Sequence, residues 1–337
     1  MKLLIITQKV DKNDPVLGFF HQWLLEFAKY CEQLTIICLQ KGEYNLPGNV
    51  KVLTLGKEYK RTRFQYIKNF YKYTWQERKN YDAVFVHMNP EYVVLGGLCW
   101  KWWHKKIVLW YTHKSVNLKL RLATKIVDEI LTASQQSFRL PSKKLRVMGH
   151  GIDLEQFVPS STPTALPIIL QMGRISETKG QLKVVKIFRE VLAKKPKAQL
   201  FLVGTVAREQ DKQYEKDIYT YIKKYNLSDS VKMFGAVAHT QVPQLLQQCQ
   251  ILVNVSQTGS LDKDVLEAMA CNIHPIVTNE AFKNLLPAEN FITSFEQLTE
   301  KIIFFLNRPT DIKYRSIIAN EHNLKVLIPN IIKICAA

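Results

Sequence analysis

The sequence has 337 residues, 47% of them apolar, which is enough for two domains with sizeable hydrophobic cores. Its 47 Lys and Arg residues exceed its 29 Asp and Glu residues and give a net charge of +18. Residues 1–150 hold 25 of the basic residues against 11 acidic ones, so the first half favours an anionic partner: a lipid headgroup, a phosphorylated acceptor or nucleic acid. The six cysteines have neither disulfide-framework nor metal-site spacing, which excludes a disulfide-stapled scaffold and favours a reducing compartment.

The first predicted element is a strand over residues 2–7. Only four apolar residues separate Lys2 from Thr7, too few for the core of a signal peptide, and the longest apolar run, near 93–100, is too short to span a bilayer. We therefore expect a cytoplasmic protein whose membrane association, where it occurs, is peripheral and on the inner face of the cell membrane. After the loop 8–17, Gly18 begins a helix that extends to about residue 30, with aromatic residues at helical spacing.

Further apolar runs predict the other strands of a first domain, at residues 34–39, 50–55, 83–87, 107–112, 129–132 and 145–148. An open parallel sheet binds its ligands at the carboxyl ends of its strands. His113, directly after the 107–112 strand, is therefore a candidate site residue, although a lone histidine is more often structural. His87, which ends the 83–87 strand, is a second and weaker candidate nearer the acceptor side.

Residues 59–81 interleave seven Lys or Arg residues with aromatic and aliphatic ones. On a helix this pattern predicts an aromatic face bordered by cations, typical of segments that lie in a membrane interface. An ordinary helix that buries its aromatic side chains and solvates its charges explains the pattern equally well. Residues 100–106, Trp-Lys-Trp-Trp-His-Lys-Lys, form a second such cluster, and the two together favour an anionic membrane surface over nucleic acid.

Residues 159–167, with Ser and Thr between three prolines, are the one credible linker. We therefore assign residues 1–158 to a first domain, 168–318 to a second domain and 319–337 to a terminal helix. Helical and strand patterns alternate after residue 168, which predicts a second parallel sheet covered on both faces. The fold class is accordingly α/β.

The second domain begins with a buried strand that ends at Gly173, where the backbone can turn sharply. Arg174 and Lys179 flank the loop that follows, and a helix begins at Gly180. Two cations beside a helix N-terminus suit a diphosphate, because their charge, their N–H donors and the helix dipole all favour an anion. A solvated pair of surface charges is the alternative, and for any one such loop it is the commoner case.

Residues 257–278 follow an apolar run and predict a loop, a helix from about Asp264 and a further strand after Pro275. The loop at the helix N-terminus presents backbone N–H groups to an anionic or hydroxyl-rich ligand. Glu267, one turn into the helix, can reach a ligand bound there. The same residues fit a capping box, with Asp264 at the cap and Glu267 three residues later, and spacing alone favours this structural interpretation.

Together the two stretches, about ninety residues apart, resemble the retaining glycosyltransferases of family 4, which have the GT-B architecture. The residues that carry the resemblance are Gly173, Arg174, Lys179 and Gly180, and then Glu267, Ala268, Met269, Ala270 and Pro275. The stretch from His150 to Asp153 is similar to the family's Asn-Gly-Val-Asp. The resemblance implies two Rossmann-like, doubly wound parallel-sheet domains that face each other across a cleft, the first on the acceptor side and the second binding the nucleotide sugar. It also implies that the terminal helix packs back on the first domain.

The resemblance implies transfer of a sugar from a nucleotide-diphosphate donor, a UDP- or GDP-sugar, to a hydroxyl of a glycan or lipid-linked acceptor of the cell envelope. The configuration would be retained, and no metal or other cofactor would be needed. Arg174 and Lys179 would stabilise the departing diphosphate, and His113 would position the donor sugar. The implied donor-binding residues are Gly18 and Gly173 at the diphosphate, Glu267 at the ribose, and the backbone of Gly259, Ser260, Leu261, Asp262 and Lys263 at the sugar hydroxyls.

The sequence departs from the family's pattern at two places. Many members carry a second Glu eight residues before the first, where this chain has Gly259, and the usual paired glycines after the first strand are reduced to Gly18. The missing carboxylate role would pass to Asp262 or to a backbone amide. Asp262 and Asp264 also spell a triplet that binds a divalent metal in another glycosyltransferase fold, but Asp commonly precedes a helix for its cap and dipole, so no metal is expected.

Two other functions fit this architecture. A sugar-nucleotide epimerase or a hydrolysing relative would share the phosphate site but would need no acceptor surface, and residues 59–81 argue against it. A catalytically silent protein that binds acidic membrane or nucleic acid would keep the fold, and Gly259 in place of an acidic residue supports it. Melting-temperature shifts with a panel of nucleotide sugars, together with the effect of Lys179→Ala on DNA or lipid binding, separate these alternatives. Titration with UDP, GDP and ADP identifies the donor class.

Overall fold

The computed structural model describes residues 1–161, 166–256, 259–309 and 314–337. They form two compact units. The first comprises Met1–Asp153, Ala238–Thr240 and Glu321–Ala337, and the second comprises Leu154–Val237 and Gln241–Asn320. Residues 162–165 of the predicted linker lie outside the described residues, as do Gln257 and Thr258 of the second motif.

The first unit is built on a seven-stranded sheet in which every neighbouring pair is parallel. Its strands are β1 (Lys2–Val10), β2 (Gln33–Lys41), β3 (Val50–Thr54), β4 (Ala83–His87), β5 (Lys106–Trp110), β6 (Glu129–Thr132) and β7 (Leu145–Val147). Their order is β3-β2-β1-β4-β5-β6-β7. The central strands are buried on both faces, which is why they read as continuous apolar runs rather than as alternating ones.

Helices cover both faces of the first sheet. They are α1 (Phe19–Tyr30), α2 (Arg63–Gln76), α3 (Pro90–Trp102), α4 (Leu118–Ile126) and α11 (Leu324–Ala336), the last numbered by its place in the chain. Alternate residues of β1 point to opposite faces: Leu3 and Ile5 pack with α1 and α11, whereas Leu4 and Ile6 pack with α2, α3 and α4. The aromatic-basic helix α2 therefore shares one face of the sheet with α3 and α4.

The second unit has a five-stranded parallel sheet of order β10-β9-β8-β11-β12. Its strands are β8 (Ile168–Met172), β9 (Gln199–Val203), β10 (Val231–Gly235), β11 (Ile251–Asn254) and β12 (His274–Val277). Its helices are α5 (Gln181–Lys194), α6 (Lys212–Lys224), α7 (Val242–Leu246), α8 (Lys263–Ala270), α9 (Leu298–Leu306) and α10 (Tyr314–Glu321). The predicted pair of parallel, helix-covered sheets is confirmed.

The strand order of the second sheet reverses beside β8. The chain runs from β8 to β9 and β10 on one side and then crosses to β11 and β12 on the other. Parallel α/β sheets bind their ligands at such a switch point, beyond the carboxyl ends of the two strands that flank it. In this unit the flanking strands are β8 and β11, which precede the two motifs predicted to bind the donor.

In the part of the chain that the structure describes, no helix combines the length and the apolar character that crossing a bilayer requires.

Candidate functional site

The loops after β8 and β11 lie side by side at the switch point, and they bring together side chains that are distant in sequence. The Lys179 Nζ lies 3.4 Å from the Asp262 Oδ1, although 83 residues separate the two. Only 16% of the Lys179 side chain and 15% of the Asp262 side chain is exposed. The two sequence motifs therefore form one continuous site within the second unit.

Neighbouring side chains hold the loop after β8 in place. Gly173 has a φ of +133°, which favours glycine, and a Cβ there would come within 3.3 Å of the Lys179 Cε. The Gln171 Nε2 donates to the Lys179 carbonyl at 2.7 Å, and the Gln181 Nε2 donates to the Arg174 carbonyl at 2.9 Å. The backbone at both predicted cations is thus held by hydrogen bonds, while the Arg174 side chain is exposed.

The loop after β11 leads directly into α8. Gly259 has a left-handed φ of +69°, and the Ser260 carbonyl accepts a hydrogen bond from the Asn279 Nδ2 at 2.6 Å. Leu261 is buried, and Asp262 precedes the first turn of the helix. The loop therefore delivers Asp262 to the helix N-terminus, where the free N–H groups and the dipole favour an anionic ligand.

Asp264 and Glu267 do not form the predicted capping box, so that interpretation is wrong. The helix begins at Lys263, which places Asp264 inside the first turn rather than at the cap. Both Asp264 carboxylate oxygens instead accept from the Asn254 Nδ2, at 3.1 and 3.0 Å, and Oδ1 also accepts from the Val265 N–H. Asp264 therefore ties the start of α8 to the end of β11, an attachment that spacing within the helix cannot reveal.

Burial at the start of α8 moves two pKa values toward neutrality. It raises the pKa of Asp264 to about 7, although the Lys179 ammonium acts in the opposite direction. It lowers the pKa of Lys263 to about 7, although the Glu267 carboxylate opposes this shift. Glu267 is itself buried, one turn beyond Lys263 on the same helix face. Acidic and basic groups with shifted pKa values, close together at the end of a strand, are typical of functional sites.

The two aspartates of the predicted metal-type triplet have different partners. Asp262 contacts Lys179, and Asp264 accepts from Asn254. Across the four described ranges, no group of three or more His, Cys, Asp or Glu residues is arranged to hold a metal ion. The basic side chains and the helix N-terminus suit an anionic ligand instead.

Gly18, a candidate in the first unit, lies where chain segments approach closely. A Cβ at this position would meet the Asp14 carbonyl oxygen at 2.4 Å and the His239 Cβ at 3.0 Å, and His239 belongs to the same unit. Its φ of −57° is ordinary. The close approach of the backbone, and not the φ angle, therefore requires glycine here.

The two candidate histidines have different surroundings. The strand β5 ends at Trp110, two residues earlier than predicted, so that His113 lies on the following loop. The His113 side chain is exposed, and its Nδ1 accepts from the Ser115 N–H at 3.0 Å. His87 is buried and stacks on Phe20 with ring centroids 3.9 Å apart. His87 is thus packed into the core, whereas His113 is accessible.

Comparison with known proteins agrees with this arrangement. The profile of glycosyl transferases group 1 matches residues 153–322, half of the chain and nearly the whole second unit. The chain belongs to the group 1 glycosyltransferase family. Both motifs that predicted this relationship lie within the matched residues.

Individual relatives of the chain are distant. The GDP-mannose:cellobiosyl-diphosphopolyprenol alpha-mannosyltransferase of Xanthomonas oryzae is 27% identical over 136 residues, which are 40% of this chain and 35% of the relative. The match thus spans about a third of that protein. HepE of Anabaena, solved with UDP and glucose, superposes with a TM-score of 0.77 at 18% identity over 100% of both chains. WaaG, a glycosyltransferase involved in lipopolysaccharide biosynthesis, superposes with a TM-score of 0.70 at 12% identity over 99% of both. The fold of the chain is therefore GT-B.

Two residues of the candidate site were missed in the sequence. Asn254 ends β11, Gln171 lies within β8, and both are buried polar residues on otherwise apolar strands. A buried polar side chain near the carboxyl end of a parallel strand must find a hydrogen-bond partner, and here the partners are the two motif loops. This polarity was the signal available in the sequence.

Proposed function

We propose that the protein transfers a sugar from a nucleoside-diphosphate donor to a hydroxyl acceptor, with retention at the anomeric carbon and without a metal. The observation that carries the proposal is the meeting of Lys179 with the start of α8 at the switch point of the second sheet. Arg174 lies exposed on the same loop as Lys179. A diphosphate bound there would meet two cations and the positive end of a helix dipole.

In the proposed reaction the bond between the anomeric carbon and the diphosphate oxygen breaks, while the acceptor oxygen forms its bond on the same face. The acceptor proton passes to the departing diphosphate, so no protein nucleophile is needed. Arg174 and Lys179 stabilise the negative charge that develops on the leaving group, a task that metal ions perform in other transferases. Because they act mainly on the transition state, their loss lowers kcat as well as affinity.

Donor recognition is assigned to the residues around the start of α8. The buried Glu267 carboxylate accepts from the ribose hydroxyls, and the backbone of residues 259–263 binds sugar hydroxyls. Asp262, which contacts Lys179, is the candidate for the carboxylate role that Gly259 cannot supply. His113 and Gly18 stay predicted donor contacts, and substitution tests each of them.

Calorimetric titration with UDP, GDP and ADP tests the donor site without knowledge of the acceptor. The names of the relatives include both GDP-mannose and UDP, so we expect UDP or GDP to bind. Arg174→Ala should weaken that binding. Arg189→Ala is the control, because Arg189 lies on α5 with its guanidinium 4.5 Å from the Tyr225 ring centroid. Absence of binding by all three nucleotides would contradict the proposal.

A catalytically silent protein of the same fold is the second candidate, and Gly259 in place of an acidic residue supports it. Release of UDP or GDP from sugar donors in the presence of lipid-linked acceptors distinguishes the two functions. The anomeric configuration of the product, read by NMR, tests retention. Tight nucleotide binding with no turnover over a broad donor panel would favour the silent protein.

We propose a lipid-linked or cell-envelope acceptor because the first unit carries a matching surface. The helix α2 divides its large residues between two faces. Phe70 is fully buried, whereas an exposed stripe follows the solvent-facing side of the helix at intervals of three and four residues, and it consists of Phe64, Ile67, Tyr71 and Trp75. The helix thus buries one side, as an ordinary helix does, and its exposed stripe supports the proposal of membrane contact.

The exposed stripe of α2 continues onto α3. The Tyr71 hydroxyl donates to the Leu95 carbonyl at 2.9 Å, and the Trp75 ring lies 5.7 Å from the ring of Trp103. On α3, Leu98 is 75% exposed and Trp102 is 73% exposed. We call the six exposed residues the interfacial surface: Phe64, Ile67, Tyr71, Trp75, Leu98 and Trp102.

Cations border the interfacial surface. Lys68 and Lys72 are exposed on α2, Lys79 is exposed just after it, and Lys101, exposed on α3, pairs with Asp128. Each Lys near an anionic bilayer contributes about 1 kcal/mol of attraction, and exposed aromatic side chains lodge in the headgroup region. We therefore propose peripheral association with the anionic inner face of the cell membrane.

Co-sedimentation with vesicles tests this surface. We expect binding to phosphatidylglycerol vesicles, weaker binding to neutral phosphatidylcholine vesicles, and loss of binding at high salt. Trp75→Ser and Trp102→Ser should each weaken it, whereas Tyr219→Ser, at an exposed aromatic residue of α6, should not. Equal binding by all three variants, or displacement of the protein from vesicles by duplex DNA, would count against a membrane partner.

A further inference from the structure

A single arginine connects two segments of the second unit that are far apart in sequence. Arg315, the second residue of α10, donates from Nη1 to the Ala270 carbonyl at 2.8 Å and also to the Phe157 carbonyl. Its Nη2 donates to the Leu154 carbonyl at 2.5 Å. Its backbone N–H donates to the Asn272 Oδ1 at 3.1 Å. The guanidinium thereby joins residues 154–157, with which the second unit begins, to the carboxyl end of α8.

Arg315 completes the C-terminal cap of α8. Two residues beyond the end of the helix, Asn272 has a left-handed φ of +55°, and the Asn272 and Ile273 N–H groups donate to carbonyls of the last helical turn. The Ala270 carbonyl receives its hydrogen bond from Arg315. A positive charge at this position also stabilises the negative end of the helix dipole. Lysine could not replace it fully, because one ammonium cannot span carbonyls on two segments as a planar guanidinium does.

The helix α8 is therefore braced by side chains at both ends. Asn254 holds Asp264 at the amino end, and Arg315 holds Ala270 at the carboxyl end. Eight residues make a rigid rod of about 12 Å. A tilt at the carboxyl end would therefore displace Lys263 and the loop that precedes it. Small displacements of binding groups are costly, since about 1 Å can reduce a rate a hundredfold.

We propose that Arg315 is a positioning residue of the transferase site, which holds α8 so that its amino end meets the donor in a fixed geometry. The inference rests on the proposed function, and Arg315 itself does not touch the donor. Loss of the guanidinium should free α8 to move, weaken nucleotide binding and reduce turnover together.

Two measurements on Arg315→Ala and Arg315→Lys test the inference. Hydrogen exchange should show faster exchange of the α8 amides, residues 263–270, in Arg315→Ala than in wild type. Calorimetry with UDP or GDP should show affinity at least tenfold weaker, with Arg315→Lys between the two. Millimolar guanidinium should restore part of the affinity of Arg315→Ala, which it would not do if the variant were only less stable. If Arg315→Ala does not fold, hydrogen exchange and calorimetry are both performed on Arg315→Lys.

Two control variants separate positioning from general destabilisation. Ile218→Val shortens a fully buried residue of α6, and Arg189→Ala removes an arginine on α5. Neither should change α8 exchange or nucleotide affinity. Unchanged α8 exchange in Arg315→Ala, or the same loss of affinity in Ile218→Val, would overturn the inference. Failure of wild type to bind nucleotides would overturn the proposed function instead, and the exchange experiment would still decide whether Arg315 holds α8.

Discussion

Replacement of Lys179 by methionine tests the donor site most directly. The change keeps most of the unbranched apolar part of the side chain but removes the ammonium that lies 3.4 Å from Asp262. A hydrogen bond to a charged group contributes about 1.5–3 kcal/mol. Since each 1.4 kcal/mol changes Kd about tenfold, we expect the affinity for UDP or GDP to fall by about 10- to 150-fold.

Loss of Lys179 should also change the pH dependence of binding. In the wild type its ammonium opposes the rise that burial causes in the pKa of Asp264, so Lys179→Met should raise that pKa further. Ionised carboxylates repel the diphosphate, and protonated ones do not. In both proteins the affinity should therefore increase as the pH falls, and in the variant this increase should begin at a higher pH than in the wild type.

Calorimetry over this pH range measures both effects. Lys183→Met is the matched control, because Lys183 lies on α5, one turn beyond Lys179, with its ammonium 4.9 Å from the centroid of the Phe295 ring. Equal affinities of Lys179→Met and wild type would refute the reasoning, since Lys179 would then have no contact with the diphosphate. Equal losses of nucleotide affinity in Lys179→Met and Lys183→Met would also refute the reasoning, because such losses would reflect the change in net charge alone.

Three further predictions concern stability. Burial lowers the pKa of His322 to about 4, and its Nδ1 accepts from the His150 N–H at 2.8 Å. The folded protein therefore disfavours the protonated ring. The free energy of unfolding should fall by about 3 kcal/mol as the pH is lowered from about 6.5 through 4. Urea unfolding at pH 7 and 4.5 should show a smaller loss in His322→Gln. Gly18→Ala should cost about 1–3 kcal/mol, because its Cβ would meet a carbonyl oxygen at 2.4 Å, whereas Gly48→Ala, with open space around it, should leave the Tm nearly unchanged. Gly259→Ala and Gly259→Glu should each lower the stability by about 1–2 kcal/mol because of the positive φ. A rise in turnover in Gly259→Glu would contradict the assignment of the carboxylate role to Asp262.

Residues 59–81, of which 63–76 form α2, show why sequence patterns were sufficient for some features and not for others. Its apolar residues occur on two faces, so spacing alone allowed either burial or membrane contact. Packing on the first sheet buries Phe70 and leaves Phe64 exposed, so the structure shows which side of the helix is buried, and membrane contact by the exposed side stays a prediction. The prediction of a capping box was wrong for a related reason. The spacing of Asp264 and Glu267 is local, whereas the true partner of Asp264 is Asn254, on a neighbouring strand.

Read alone, the sequence was enough to establish two parallel α/β sheets, their main strands and helices, and the family motifs around Arg174 and Glu267. Those features depend on burial along single elements, and burial leaves a periodic or continuous apolar pattern in the sequence. The tertiary structure decided which distant groups meet: Lys179 with Asp262, and Arg315 with the carboxyl end of α8. Such meetings follow from strand order and chain crossings, which are set by long-range packing and leave no periodic signal in the residues themselves.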